Sequence, residues 1–198
     1  MAAAVGVAVK VGPPVPSGLP ACSVADEPVA RGAYSDWAST LLDPSHTLGL
    51  GYRPPDLSRD VVGGQVVKLR EFVVTPLKDM VAAAATDGIT LKVTSTFRSY
   101  EFQQQLFDDN PGMGDLIALP GHSEHQLGTT VDLTGGDAWL AANAVRFGFV
   151  LSFPADRSPR FTCYSNEPWH YRYFGVERAE AIAASGLSPR EWLWSHDR

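Results

Sequence analysis

The chain has 198 residues, of which 44% are apolar and 19% are charged, and its formal net charge is −6. A chain of this length typically buries about 70% of the surface that it exposes when unfolded, so it can form its own hydrophobic core, which excludes disorder throughout. No apolar run approaches the roughly 18 residues of a spanning helix, so we expect no membrane span. The basic residues are scattered, and phosphate binding needs a concentrated positive surface, so we expect no nucleic-acid partner.

The N-terminal part of the chain differs in composition from the rest. Residues 1–30 contain five prolines and show neither helical nor strand periodicity, which indicates an extended arm. We therefore predict two regions, an N-terminal arm over residues 1–42 and a folded domain over residues 43–198. The two cysteines, Cys22 and Cys163, form one disulfide or remain two free thiols, and the sequence leaves both possibilities open.

Turn signals and hydrophobic periodicity divide the folded region into short elements. Thr75 is a suitable helix cap, and Pro76 suits the first helical position because it has no N–H to lose. In chain order we predict one or two strands in 65–74, a helix capped at 75 and stopped at 88, a strand at 90–96, a helix at 99–107, a surface loop at 108–121, a strand at 129–133, a helix at 138–147, a strand at 149–153, a strand or turn at 169–174, and helices at 177–184 and 189–194. Helices and strands are mixed without strict alternation, so the predicted class is α+β, with a small, mainly antiparallel sheet and helices packed against it.

The segment from Ser123 to Asp132 carries an imidazole, His125, and a carboxylate, Asp132, seven residues apart. Gly128 between them lets the chain turn before it enters a strand. In that strand Val131 and Asp132 point to opposite faces, so Asp132 points into a cleft if the other face is the core. Taken alone, one histidine and one aspartate are more typical of a solvated loop than of a functional site.

A second segment places Glu167 and His170 three residues apart within an aromatic run. Two histidines and one aspartate are a three-ligand set that leaves a fourth zinc position open for water, and a further glutamate can accept the proton of that water. Residues three apart point to opposite faces of a strand, so Glu167 and His170 share one site only through a bend, which Pro168 favours. The alternative is an aromatic core strand with a buried, hydrogen-bonded histidine.

Together the two segments resemble a known family. The first is similar to the SxHxxGxAxD signature, and the second to the ExWH signature, of the VanY-type zinc D-alanyl-D-alanine carboxypeptidases, whose relatives include VanX-type dipeptidases and phage peptidoglycan endopeptidases. Residues 97–103 (FRSYEFQ) resemble the YRSYxxQ stretch of the family, and residues 52–57 (YRPPDL) resemble its YxPPDL element. The resemblance covers roughly residues 43–195.

The resemblance implies a zinc peptidase domain whose metal site lies in a central cleft. Zn²⁺ would be bound by His125, Asp132 and His170. Glu167 matches the catalytic base of the family, and Arg98 matches the arginine that polarises the scissile carbonyl or clamps the substrate.

Ser123 matches a serine of the family near the ligands and the substrate, and Gln103 matches a glutamine beside the arginine. Trp169 is next to a proposed ligand and either forms a wall of the substrate pocket or only packs against its neighbours. Thr130 stands where the signature has alanine, and its hydroxyl either bonds the neighbouring aspartate of the motif or narrows the pocket. His122 is interpreted as a solvent-facing loop residue, and the alternatives are a substitute metal ligand or a residue at the rim of the site.

We therefore expect a zinc-dependent carboxypeptidase that hydrolyses the terminal D-alanine bond of peptidoglycan stem peptides, with D,D or L,D preference left open. Two alternatives remain. One is an endopeptidase that cuts within the stem peptide at the same site, and the other is a non-catalytic zinc-binding domain similar to the Hedgehog signalling domain. The family implies export to the bacterial cell envelope, and we expect a monomer.

Overall fold

A computed structural model describes residues 13–25 and 36–196 of the chain. The strands are β1 (Leu57–Val62), β2 (Gln65–Arg70), β3 (Lys92–Ser95), β4 (Thr130–Thr134), β5 (Phe149–Leu151) and β6 (His170–Tyr173). The helices are α1 (Glu71–Thr86), α2 (Tyr100–Asp108), α3 (Asp137–Asn143), α4 (Pro159–Thr162), α5 (Val176–Ser185) and α6 (Pro189–His196), with 3-10 turns at Glu124–Leu127 and Ala144–Phe147. Within these two ranges, no helix combines the length and the apolar character that a membrane crossing requires. The predicted α+β class is confirmed.

A four-stranded antiparallel sheet lies at the centre, in the order β3-β4-β6-β5. Strands β1 and β2 form a separate antiparallel hairpin. The two inner strands of the larger sheet, β4 and β6, are the strands that carry the two sequence motifs. Their register places Asp132 directly opposite His170. Residues paired in this way have Cβ atoms about 5 Å apart, so the sheet itself brings the motifs into contact.

One face of the sheet packs against α1. Val131 and Leu133 of β4 are fully buried in the main core, together with Leu77 and Met80 of α1. Because side chains alternate along a strand, Asp132 points to the opposite face. The predicted alternation in this strand is confirmed, and it separates the core side of the sheet from the site.

The predicted start of the first helix is wrong. Helix α1 begins at Glu71 rather than after a cap at Thr75, so the last four residues of the predicted strand are helical. Pro76 therefore lies inside the helix, where it removes one backbone hydrogen bond at a cost of about 3 kcal/mol. Val73 and Leu77 are fully buried, and each buried aliphatic side chain contributes roughly 1.5–3 kcal/mol, so tertiary packing offsets the local penalty.

Residues 13–25, from the predicted arm, lie against the C-terminal half of the chain. Cys22 forms a disulfide with Cys163, which decides between the two possibilities that the sequence left open. The guanidinium of Arg190 donates to the carbonyl oxygen of Pro20 at 3.0 Å. This part of the arm is therefore attached next to the segment that leads into the second motif.

The end of the predicted arm also packs on the domain, since Leu41 and Leu42 are buried. The other parts of the arm, residues 1–12 and 26–35, lie outside the described residues. The division of the chain into an arm and a domain stays a prediction.

The disulfide is expected to stabilise the protein by about 2–5 kcal/mol, because it closes a loop across 141 residues and so restricts the unfolded chain. The double variant Cys22→Ser/Cys163→Ser should lose this amount in denaturant unfolding monitored by circular dichroism. A reductant should lower the stability of the wild type and leave that of the double variant unchanged. Equal stability of the two proteins would show that the crosslink contributes nothing.

Candidate metal centre

The candidate site lies in a cleft of about 320 Å³. One part of its lining is charged and polar and consists of Arg98, His122, Ser123, Glu124, His125, Asp132, Glu167 and His170. The other part is mainly apolar and includes Leu106, Met113, Leu116, Ile117, Phe153 and Tyr164. The cleft thus combines a cluster of titratable groups with an apolar wall.

Local backbone structure determines the positions of the two proposed ligands of the first motif, His125 and Asp132. His125 lies in the 3-10 turn Glu124–Leu127, which ends at Gly128 with φ 71°. A side chain at Gly128 would be strained by this positive φ and would also press on Leu57 and Arg70. The glycine therefore lets the chain reverse and enter β4 with its aspartate facing the same cleft as the histidine.

Three ligand atoms converge on one point. His125 Nε2 lies 3.2 Å from Asp132 Oδ1, and His170 Nδ1 lies 3.5 Å from the same oxygen. All three atoms are within 4.8 Å of one another. Tetrahedral zinc, with ligands at about 2.0–2.2 Å, separates neighbouring ligand atoms by about 3.4 Å. The two measured separations match that spacing.

Each histidine has its second ring nitrogen held by a protein acceptor. His125 Nδ1 lies 2.8 Å from the carbonyl oxygen of Thr96. A carbonyl can only accept, so Nδ1 carries the proton and Nε2 keeps its lone pair. His170 Nε2 lies 3.1 Å from Glu124 Oε2, which leaves Nδ1 facing Asp132. Both rings therefore direct a ligand nitrogen to the same point, as histidine ligands in metal sites do.

The residues present fit a zinc ion. His125 Nε2 and Asp132 Oδ1 are buried, and neither has a hydrogen-bond partner among the described residues. Two buried lone-pair atoms 3.2 Å apart repel each other unless a cation lies between them. Two imidazole nitrogens and one carboxylate oxygen are a donor set typical of zinc.

The electrostatics of the site favour a cation. Burial lowers the pKa of His125 to about 4, so its ring is neutral at neutral pH. Burial alone would raise the pKa of Asp132, but His125 and His170 hold it below its usual value. Burial also opposes a charge on His170, yet three carboxylates in contact with this ring raise its pKa well above the usual value. The surroundings of the ligand atoms are therefore rich in negative charge.

Glu167 lies beside these atoms. It precedes β6 in a turn that is closed by the hydrogen bond from His170 N to Glu167 O, at 3.0 Å. This turn is the bend that the spacing of the motif requires. Glu167 Oε2 is 3.3 Å from His170 Nδ1, and the residue is buried. Its carboxylate can therefore reach a water molecule bound at the ligand point.

Arg98 follows β3 and also lines the cleft. Its Nη2 donates to Asp132 Oδ2 at 3.1 Å and to Ser95 Oγ at 3.0 Å. Its Nη1 donates to Gln103 Oε1 at 3.4 Å, while Gln103 Nε2 donates to the carbonyl oxygen of Ala118 at 2.7 Å. Gln103 is fully buried. Its two hydrogen bonds place it beside Arg98 and connect the arginine to the loop that contains Ala118.

The remaining predicted substrate residues lie in the lining. Ser123 is buried and Trp169 is exposed, and both line the cleft. Thr130 is fully buried, its Oγ1 has no hydrogen-bond partner in the described part of the chain, and it is absent from the cleft lining. Its hydroxyl therefore neither bonds Asp132 nor narrows the pocket.

The interpretation of His122 as a solvent-facing residue is wrong. Its side chain is buried and lines the cleft, and its Nδ1 donates to the carbonyl oxygen of Asp43 at 2.8 Å. The neighbouring loop lies on the surface, as predicted, and it also contributes Met113 and Ile117 to the lining of the cleft. This packing depends on contacts with residues far away in the sequence.

Glu124 is a site residue that sequence reasoning missed. Its Oε2 accepts from Ser152 Oγ at 2.6 Å and from His170 Nε2, and its Oε1 accepts from Arg172 Nη1 at 2.9 Å. Although burial by itself would raise the pKa of Glu124, Arg172 and His170 hold it at about 2. The only signal in the sequence is its position next to His125.

Comparisons with known proteins decide the family. The sequence model of VanY, described as D-alanyl-D-alanine carboxypeptidase, matches residues 66–176, more than half of the chain. This chain belongs to the VanY D-alanyl-D-alanine carboxypeptidase family. The family resemblance that the two motifs indicated is thereby confirmed.

Individual members of the VanY family and solved structures agree in fold. A D-alanyl-D-alanine carboxypeptidase from Enterococcus faecalis is 32% identical to this chain, and the match covers 82% of this chain and 68% of that protein. The crystal structure of a mutant of the vancomycin resistance D,D-pentapeptidase VanY, in complex with Zn(II), has a TM-score of 0.70 and 32% identity and covers 80% of this chain and 99% of that chain. The structure of the LdcB LD-carboxypeptidase has a TM-score of 0.69 and 27% identity and covers 78% of this chain and 84% of that chain.

Proposed function

We propose that this protein is a zinc-dependent carboxypeptidase that hydrolyses the terminal D-alanine bond of peptidoglycan stem peptides. The observation that carries the proposal is the convergence of the ligand atoms of His125, Asp132 and His170 beside the carboxylate of Glu167. Three protein ligands are typical of catalytic zinc sites, whereas structural sites have four. The Zn(II) complex of the related VanY enzyme supports the same metal.

The side chains around the ligand point have the chemistry of peptide hydrolysis. A zinc ion held by His125, Asp132 and His170 would lower the pKa of a bound water to about 7 and would polarise a carbonyl oxygen. Glu167 accepts the proton of the attacking water and delivers it to the departing amine. Arg98, held in place by Asp132 and Ser95, directs its guanidinium into the cleft and stabilises the charge that develops on the carbonyl oxygen.

The rest of the cleft fits a substrate with apolar, uncharged side chains. Its apolar wall includes Met113, Leu116, Ile117 and Phe153. Pockets lined in this way bind apolar groups and use a few polar groups to fix orientation. The methyl group of D-alanine suits this wall, and the name of the E. faecalis relative states the same terminal residue.

We extend the proposal to the location of the protein, which we place outside the cytoplasmic membrane. The disulfide between Cys22 and Cys163 supports export, because disulfides persist in oxidising compartments and are rare in the bacterial cytosol. Peptidoglycan lies in the same external compartment.

Product analysis combined with metal analysis tests the proposed function. A pentapeptide ending in D-Ala-D-Ala and a tetrapeptide ending in D-Ala serve as substrates, and free D-alanine is the expected product. Release from the pentapeptide indicates D,D activity, and release from the tetrapeptide indicates L,D activity. A larger peptide fragment as product would assign an endopeptidase. Stoichiometric zinc without hydrolysis of either peptide would favour the non-catalytic alternative.

The substitution Arg98→Ala is expected to reduce kcat by about 10²- to 10³-fold, because it removes a donor to the developing oxyanion. Its effect on zinc content should be smaller, since Arg98 touches the metal ligand Asp132 only through the oxygen that faces away from the two histidines. Steady-state kinetics and metal analysis on the same sample measure both effects. The matched control is Arg157→Ala, because Arg157 is a similarly buried arginine that pairs with Glu191 and does not line the cleft. Loss of zinc in proportion to activity would assign Arg98 to the metal site instead.

A further inference from the structure

Glu124 lies directly before a metal ligand in the chain, and its buried carboxylate contacts residues of two neighbouring strand segments. Ser152, just after β5, and His170, at the start of β6, both contact Oε2, at 2.6 Å and 3.1 Å. Arg172, also on β6, donates to Oε1 at 2.9 Å. A buried anion is stable only when it is paired and hydrogen-bonded, and here both oxygens have donors. The proposed base is a different carboxylate, that of Glu167.

The contact with His170 selects one orientation of the imidazole ring. The terminal torsion of histidine has a broad energy profile, so the ring alone does not prefer one nitrogen over the other as the ligand. Glu124 accepts a hydrogen bond from Nε2–H, and this leaves Nδ1 as the nitrogen that faces Asp132, 3.5 Å away. The second ligand ring differs, because His125 is held by the neutral carbonyl of Thr96.

The carboxylate is itself fixed in position. His170 and Arg172 are two residues apart on β6 and therefore share a face, so one glutamate can contact both. The guanidinium of Arg172 is fully buried, and its Nη2 donates to the carbonyl oxygens of Trp37 and Thr40 at 2.9 Å and 2.7 Å. The arginine thus cannot move away without breaking backbone contacts, and it holds Glu124 against the ring.

We propose that Glu124 is a positioning residue of the metal centre, which fixes the His170 ring so that Nδ1 faces the point shared by His125 and Asp132. The inference rests on the proposed function because it concerns the same site, and it extends that function to a carboxylate outside the set of three ligands. Groups that hold the far nitrogen of a histidine ligand typically account for 10- to 100-fold in metal affinity. Two consecutive residues of the chain therefore have different roles in the metal centre: His125 is a ligand, and Glu124 orients the other histidine ligand, His170.

The substitution Glu124→Gln tests the positioning role because it keeps the shape of the side chain and removes its charge. The Zn²⁺ dissociation constant of the metal-free protein, measured by competition with a chromophoric chelator, should rise 10- to 100-fold. The visible absorption spectrum of the Co²⁺-loaded variant should also change, since His170 is no longer held in one orientation. Both measurements are independent of hydrolysis.

Glu191→Gln is the matched control. Glu191 is fully buried, accepts from Ser188 Oγ at 2.7 Å and pairs with Arg157, but it does not line the cleft. This variant should lose thermal stability and keep the wild-type zinc affinity. If Glu124→Gln does not fold, Ser152→Ala is the second variant, because it removes one donor to the oxygen that contacts His170 and should raise the zinc dissociation constant to a smaller extent.

The outcomes separate the inference from the proposed function. Wild-type zinc affinity in the Glu124 variant, or in the Ser152 variant where only that one folds, overturns the positioning role and leaves the proposed function intact. An equal loss of affinity in the Glu191 variant also overturns it, because general loss of packing then explains the effect. A wild-type protein that binds no zinc overturns the proposed function itself.

Discussion

Glu167→Gln is expected to lower kcat for D-alanine release by about 10²- to 10⁴-fold while zinc remains bound. Glutamine has the shape of glutamate, but its amide cannot accept a proton from water. The carboxylate lies 3.3 Å from His170 Nδ1, close enough to act on water at the ligand point. Three other side chains supply the ligand atoms, so the metal site survives the substitution. Kinetics with the pentapeptide, and zinc analysis of the same samples, measure the two quantities.

The control for this variant is again Glu191→Gln, which changes a buried carboxylate that does not line the cleft. It should keep wild-type kcat and zinc content. A Glu167 variant with turnover within about twofold of the wild type would assign the base to another group. A Glu167 variant that loses zinc and activity together would instead make this carboxylate a ligand.

The sequence contains a signal for the hairpin β1–β2, the pair Gly63–Gly64, that the prediction did not use. Gly63 and Gly64 separate Val62 from Gln65, and their φ values are 56° and 79°, as a two-residue type I′ turn requires. A Gly-Gly pair between two short strands is one of the strongest hairpin signals. The prediction placed a strand after the glycines and none before them, because Leu57–Val62 is too polar to show clear alternation.

The boundary of α1 was not predictable in the same way. Pro76 favours a helix start at its own position, and the burial of Val73 and Val74, which precede it, explains why the helix begins earlier. Burial of this kind depends on the other elements of the core. A single-sequence pattern therefore predicts that the helix exists more reliably than it predicts where the helix begins.

The part of the candidate site that could be predicted from the sequence consists of the residues within the two motifs. The resemblance of the two motifs to the family implied the ligand set, whose three side chains the structure brings together, and the alternation around Asp132 predicted the face on which it lies. The partners that hold the site could not be predicted, because Glu124 is buried by Ser152 and Arg172, which lie 28 and 48 residues further along the chain. Before the strand order is known, a glutamate in a loop is expected to be solvated.

His125→Ala is expected to remove zinc from the protein, since it leaves two of three ligands, and hydrolysis should be lost with the metal. Its loss of affinity should exceed the 10- to 100-fold typical of residues that only support a ligand. Zinc also stabilises any folded protein that binds it, by about 2.7 kcal/mol when free zinc is 100 times the dissociation constant. Zinc should therefore raise the Tm of the metal-free wild type and leave that of the variant unchanged.

Comparing each protein with and without zinc isolates the metal from packing, because His125 is fully buried and its removal alone lowers Tm. His196→Ala is the control, since His196 lies in the last turn of α6, its ring bonds the carbonyl oxygen of Trp192, and it does not line the cleft. This control should bind zinc and show the wild-type rise in Tm. If His125→Ala kept that rise and its zinc, the three side chains would not form one metal site, since His125 Nε2 is the only atom that His125 directs at Asp132.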